Sequence, residues 1–277
     1  MASLAAVRGG DPQLKLLVVG PGRAGGSLAI AASGVGHEIV GVVSKDGIDD
    51  RYGPAVSWDG PLPDADIALI AVRDSQIQDA AFQLSGSGVA YPVVAHLSGF
   101  NPVTDLAVLV PTGASIGGFH PLQTLPDPVK GAAALAGSYV AITGEDLAYD
   151  MLMHLGDSLG MSPFALTDEG RPGYHAAAAA AANFIVTCLA TSADLMESVG
   201  IDPAVVRPLV EQVVANVFDG DPDQALTGPI ARGDLETVIG HLTAAHQVSP
   251  EVGEQFRLIA EATAIRAGRP EQRNQWI

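Results

Sequence analysis

Near the N-terminus, Gly20-Pro21-Gly22-Arg23-Ala24-Gly25 repeats glycine at the spacing G-x-G-x-x-G. Gly20 permits a tight turn, Gly22 lets the backbone come close to an anion, and Gly25 lets a helix pack closely on the strand before it. The chemistry this serves is the holding of a diphosphate, because the free amides of a helix's first turn face the anion. Leu14 to Val19 just ahead of the loop reads as a buried strand, and Gly25 to Ala32 is helix-compatible. The motif therefore lies in the strand-to-helix context that it requires, and a dinucleotide is the ligand that it predicts.

The second strand, Glu38 to Val43, ends in Ser44-Lys45 rather than in the acid that holds the ribose of NAD. A hydroxyl and an ammonium suit a 2′-phosphate, so NADP is favoured, while Asp46 keeps NAD open. Arg23 either covers the adenine, pairs with the phosphate or stays in water. Arg73, after a strand ending at Val72, is a second cation of the same kind. With Ala24 and Ser98 these residues form the expected cofactor set.

Two histidines fall at predicted strand ends, in His96-Leu97-Ser98-Gly99 and Phe119-His120-Pro121-Leu122-Gln123-Thr124. Ligands of parallel sheets bind there, and an imidazole titrating near neutrality can protonate a carbonyl as hydride arrives. Each can equally hydrogen-bond a loop carbonyl. His175 and Asn183 lie on one predicted helix, about 80° apart around its axis and ~12 Å apart along it, so both can line a cleft without touching. A buried asparagine among alanines needs a partner, either a ligand or a neighbouring helix. Thr227 and Arg232, in a turn that Asp234 can cap, have the chemistry to hold a small carboxylate. His241 and His246 lie about 140° apart around a helix, too far for one metal, and no metal site is expected.

These groups must be positioned by the rest of the chain. Later strands are expected at Asp66 to Val72, Pro92 to Leu97, Ser115 to Phe119, Tyr139 to Thr143 and Pro163 to Thr167, with helices at Ser75 to Leu84 and Glu145 to Leu159. That alternation predicts right-handed βαβ units on a mostly parallel, doubly wound sheet. After Thr167 a turn-rich break leads to helices at Tyr174 to Val199, Pro203 to Val217, Asp234 to Ala245 and Pro250 to Ala267. The expected division is a loose leader over 1–13, an α/β domain over 14–169 and an all-helical domain over 170–277. The seven alanines from Ala176 to Ala182 predict a central, closely packed helix.

The 277 residues are 48% hydrophobic and 16% charged, as a compact globule would be. The net charge of −17 argues against nucleic acid and anionic lipid as partners. No run reaches the ~18 uninterrupted apolar residues of a membrane helix. The single cysteine, Cys188, lies in an apolar run and reads as a reduced core residue of a cytoplasmic protein.

Taken together, Gly-Pro-Gly-Arg-Ala-Gly-Gly at 20–26, His-Leu-Ser-Gly at 96–99, Phe-His-Pro-Leu-Gln-Thr at 119–124, Tyr-His-Ala-Ala at 174–177, Asn183 and Leu-Thr-Gly-Pro-Ile-Ala-Arg-Gly-Asp at 226–234 resemble the Rossmann-like proteins that carry a domain of unknown function numbered 2520. The arrangement is more distantly similar to pyrroline-5-carboxylate reductases, ketopantoate reductases and β-hydroxyacid dehydrogenases. The resemblance implies a Rossmann domain followed by a helical domain of the 6-phosphogluconate dehydrogenase type, dimerising through the helices. It implies an NADPH-dependent reductase of a small 2-oxo acid, with ketopantoate reduction in pantothenate synthesis as the specific expectation. Reduction of a cyclic imine and NADP binding without catalysis are the alternatives. The helix lysine of the β-hydroxyacid and ketopantoate enzymes is replaced by Ala179, so the proton must come from His175, His120 or water. In that reading Asn183 orients the carbonyl, and Thr227 and Arg232 hold the carboxylate.

Overall fold

A computed structural model describes residues 13–44 and 50–276, and the structural statements below concern those residues. All but Gln13 of the expected leader lies outside them, as do Lys45 and Asp46.

Leu16-Leu17-Val18-Val19 is apolar at every position because both of its faces are covered. Leu16 and Val18 point into one core, where they meet Leu28 and Leu152. Leu17 and Val19 point into a second, with Ile77 and Leu84. The same alternation divides Ile67 and Leu69 from Ala68 and Ile70. The strands are β1 (Lys15–Val19), β2 (Glu38–Val43), β3 (Ala55–Val56), β4 (Ile67–Ile70), β5 (Val93–His96), β6 (Ser115–Leu122), β7 (Tyr139–Gly144) and β8 (Ser162–Ala165). They form one sheet in the order β3-β2-β1-β4-β5-β6-β7-β8. Every neighbouring pair is parallel except β6 with β7. The order reverses at β1, which places a crevice at the carboxyl ends of β1 and β4.

Helices α1 (Arg23–Gly34), α3 (Pro128–Leu135) and α4 (Asp146–Ser158) contribute to the first core, and α2 (Ile77–Ser85) with the 3-10 turns of Val103–Thr112 to the second. Helix α3 was not expected, although Asp127 accepts the amides of Val129 and Lys130 and Pro128 opens the first turn.

The contacts divide the chain into two compact units after Ala178, inside the long helix rather than at 169/170, where the turn-rich break stands. The reason is that the first residues of α5 (Arg171–Ala179) are anchored in the first unit: Arg171 is fully buried, and its guanidinium donates to the Ser98 carbonyl.

The second unit is helical: α6 (Ile185–Ser198), α7 (Arg207–Asp219), α8 (Pro222–Ala225), α9 (Pro229–Arg232), α10 (Leu235–Val248) and α11 (Pro250–Arg266). Its core is the α10–α11 pair, with Val238, Leu242 and Ala245 buried on one helix and Val252, Ala260 and Ala264 on the other. Asp234 and Ser249 cap these helices. The long helix departs from the expectation of a closely packed centre, with Phe184 just before α6 and Val186 on it 65% and 66% exposed; on α7, Leu209 and Phe218 are 65% and 83% exposed. Cys188 is exposed rather than a core residue. Composition recorded the apolarity of this run but not what covers it. By length and composition alone, Arg171–Ser198 is also apolar enough to cross a membrane: its mean hydropathy stays high although Asn183 and Thr187 interrupt the apolar run.

Leu152 is completely buried between α4 and β6, where its Cδ1 lies 2.6 Å from the place a Cβ on Gly117 would take. Leu152→Ala should lower the unfolding free energy by about 3 kcal/mol, read from urea titrations.

Candidate functional site

The turn between β1 and α1 is built from glycine for steric reasons. Gly20 has φ +99°, and a Cβ on it would lie 2.8 Å from the Ala71 carbonyl oxygen of the neighbouring strand end. A Cβ on Gly25 would collide with the Gly20 carbonyl oxygen. Gly22 has no atom within 4 Å of its absent Cβ, so its backbone is open to a ligand. No acidic side chain stands in the first turn of α1, which leaves its positive end unopposed.

This turn forms one wall of a cavity of about 1040 Å³, large enough for an extended nucleotide ligand. Of the expected cofactor set, Gly20, Gly22, Ser44, Val72 and Arg73 line it. Asp50, Arg51 and Trp58 line it too and were missed, because they belong to an irregular segment between β2 and β4. Arg51 lies with its guanidinium carbon 5.2 Å from the ring centre of Tyr52. Arg23, Ala24, Gly25 and Ser98 do not line the cavity: Arg23 is exposed on the first turn of α1, Ala24 packs against the core, and Gly25 is buried beneath Gly20. Ser98 is buried, and its hydroxyl accepts the amides of Phe100 and Asn101 at 3.1 and 2.9 Å. That commits it to its own turn.

A second cluster lies at the ends of β5 and β6 and uses the two expected histidines differently. His96 is fully buried and its Nδ1 accepts the Ser98 amide at 3.2 Å, so it shapes the loop. His120, on β6, is half-buried and shares a 2.7 Å hydrogen bond between Nδ1 and the Tyr174 hydroxyl. His175 follows, its ring centre 5.9 Å from that of His120 and 6.2 Å from that of Phe100. Gly99 makes the meeting possible, since a Cβ there would lie 2.7 Å from His175 Nδ1 and 2.8 Å from His120 Nε2.

The electrostatics correct the expectation of an imidazolium donor. Burial first, then His175, Arg171 and His96, push the His120 pKa down to about 4. Burial and Arg171 push His96 down to about 4 as well, against smaller opposing effects that include Asp105 and Asp168. Burial raises Tyr174 to about 12. At neutral pH His120 is therefore an uncharged ring bonded to a protonated phenol, and the donors this pair offers are neutral N–H and O–H groups. Arg171 and Tyr174 were not singled out from sequence, although Arg171, Tyr174 and His175 stand at i, i+3 and i+4 and so share one face of α5.

The other predicted site residues belong to the second unit. Asn183 lies in the π-helical turn Ala180–Phe184 and is exposed, so the desolvation argument for it does not hold. The π turn also breaks the 100° count from His175. Thr227 is exposed ahead of α9, and Arg232 is the exposed last residue of that helix rather than part of an irregular turn.

The fold and the glycine turn together define a Rossmann-type α/β unit followed by a helical unit. Residues 138–263 match the family model described as "domain of unknown function (DUF2520)", which bears out the sequence resemblance over that stretch. No curated protein matches the chain. Among solved structures, the chain is similar to a candidate NADP oxidoreductase from Bacteroides fragilis, at 19% identity over 91% of this chain and 98% of that one, with a TM-score of 0.77. It is also similar to an imine reductase of Streptomyces aurantiacus, at 16% identity over 94% and 98%, TM-score 0.62. A pyrroline carboxylate reductase of Plasmodium falciparum with NADP bound shares 13% identity over 94% and 100%, TM-score 0.57. These likenesses establish the fold.

The lowered histidine values set a sign for stability. His96 and His120 take up protons near 6.5 when unfolded but only near 4 in the fold, so acid favours the unfolded chain. Stability should be fully retained above about pH 6.5 and fall as pH drops through 4. His120→Gln should flatten part of that slope in melting curves taken from pH 7 to 4.

Proposed function

We propose that the chain is an NADPH-dependent reductase that acts on a small molecule with a C=O or C=N bond, with the 2-oxo acid ketopantoate as the leading substrate. The observation that carries the reading is the glycine turn at the reversal of strand order, opening on a cavity that Ser44, Arg51 and Arg73 also line. The fit to a dinucleotide is steric as well as chemical: Gly22 is open where a diphosphate must approach, and Gly25 is closed where α1 must seat. Ser44 and Arg73 suit a ribose 2′-phosphate, and Trp58 offers a flat apolar surface to a base. The similar pyrroline carboxylate reductase with NADP bound supports that choice.

When bound, the nicotinamide supplies the hydride. This chain's residues hold the cofactor, exclude water and provide the proton that balances the hydride on the substrate's oxygen or nitrogen. His120, His175 and Tyr174 are the groups assigned to that proton. Because the His120 pKa lies near 4, the ring is not an imidazolium at neutral pH: it passes its Nε2 proton to the substrate while its Nδ1 takes one from the Tyr174 hydroxyl, which water then reprotonates. Asn183, Thr227 and Arg232 are assigned to orienting the substrate and its carboxylate; the exposure of all three leaves them available to a ligand.

Reduction of a cyclic imine is the second reading, favoured by the similarity to an imine reductase and a pyrroline carboxylate reductase. Homodimerisation through the helical unit is part of the proposal, supported by the exposed apolar side chains of α6 and α7. With a charge of −17, small molecules rather than nucleic acid are the expected ligands.

A substrate panel followed by NADPH absorbance tests the reaction. Turnover of ketopantoate is the expected result, turnover of pyrroline carboxylate alone would select the second reading, and binding without turnover on any carbonyl or imine would contradict both. Ser44→Asp should weaken NADPH about 10-fold or more while sparing NADH, read by calorimetry, since a carboxylate repels the 2′-phosphate.

A further inference from the structure

Arg171 is the largest fully buried side chain among the described residues. Burying a cation is costly unless it is paired and hydrogen-bonded, and an apolar side chain would fill the same space without that cost. Its guanidinium makes contacts in three directions. Nε donates to Asp168 Oδ1 at 3.0 Å. Nη1 donates to the Ser98 carbonyl at 2.7 Å. Nη2 occupies the space that a Cβ on Gly118 would need, against β6 two residues before His120.

Asp168 in turn accepts the Val103 amide with both oxygens at 3.0 Å. One side chain thus ties the start of α5 to the loop after β5 and to β6, the three segments that carry His175, Gly99 and His120. Gly99 lies between the two rings, within 2.8 Å of a nitrogen of each at its Cβ position. Any shift of the Ser98–Gly99 loop therefore changes the space between the rings.

We propose that Arg171 is a positioning residue, whose guanidinium pins the Ser98–Gly99 loop against β6 and so fixes the His120–Tyr174 hydrogen bond and the place of the His175 ring beside it. The inference rests on reading that cluster as the source of the reductase's proton. The charged and titratable groups facing the histidines agree with it. His120 faces His175, Arg171 and His96, each of which disfavours a charge on its ring. His96 faces Arg171, with Asp105 and Asp168 opposing.

The test follows the ring nitrogens of His120 by ¹H–¹⁵N NMR across a pH titration of the full-length chain, a readout that needs no turnover and so stands even if every substrate fails. In the unsubstituted protein His120 should stay neutral down to about pH 4, with a slowly exchanging proton in the bond to Tyr174. Arg171→Met should move the midpoint up toward the ordinary 6.5 and lose that slow proton. Arg171→Lys, which keeps the charge but not the fork, should hold the midpoint low while losing the slow proton. Should Arg171→Met fail to fold, Gly118→Ala asks the same question, because its methyl takes the Nη2 seat and leaves the cation in place; the bond to Tyr174 should again be lost. In a turnover assay Arg171→Met should lower kcat about 10-fold or more and leave the KM for NADPH within about twofold. A folded Arg171→Met or Gly118→Ala protein with the His120 titration and slow proton unchanged would overturn the proposal.

Discussion

The structure depends on how closely two glycines approach each other. The backbone of Gly25 lies so near the Gly20 carbonyl that no side chain fits between them, and Gly20 itself requires a left-handed backbone with φ +99°. This contact fixes α1 on the end of β1 and turns the helix's unopposed positive end toward the crevice where the strand order reverses. The cavity wall, the open backbone at Gly22 and the distance to Ser44 across the strand ends all follow from it. Any larger residue at Gly25 would lift α1 off the sheet, and Leu28, Ala29 and Ala32 would leave the first core with it.

A second constraint operates at the ends of β5 and β6, where burial disfavours charge on the rings. Two histidines that would titrate near neutrality in water are held to about 4, chiefly by burial, and a phenol is held in its protonated form. An uncharged ring and a protonated phenol suit the proposed transfer of a hydride and a proton to a C=O or C=N bond, since a permanent positive charge at such a site would oppose oxidation of the nicotinamide to a cation. Arg171, the cation that acts on both rings, is paired with Asp168 and donates to the Ser98 carbonyl.

Much of this was legible in the sequence because it follows from short-range rules. The continuous apolar run of β1 reports burial on both faces, and the glycine spacing reports a turn, so the parallel sheet and its phosphate cradle could be read directly. Strand β3, with two residues, carries no periodicity to read. Helix α3 carries only a local signal, the capping pair Asp127-Pro128, at the start of an eight-residue helix. The buried polar cluster was half legible: the histidines stood out by type, but Arg171 and Tyr174 acquire meaning only when α5 is laid beside Ser98 and Gly118. Asn183 and Cys188 were misjudged for one shared reason. Alanine and valine around them indicate that a surface is apolar, not that the same chain covers it.

Trp58, which lines the large cavity, reports directly on the central claim that this space holds a reduced dinucleotide. Titrating the protein with NADPH while following tryptophan emission should give saturable quenching at micromolar concentration, stronger than with NADH, that is lost in Trp58→Phe. Emission unchanged by either nucleotide up to millimolar concentration, with calorimetry equally silent, would contradict the account.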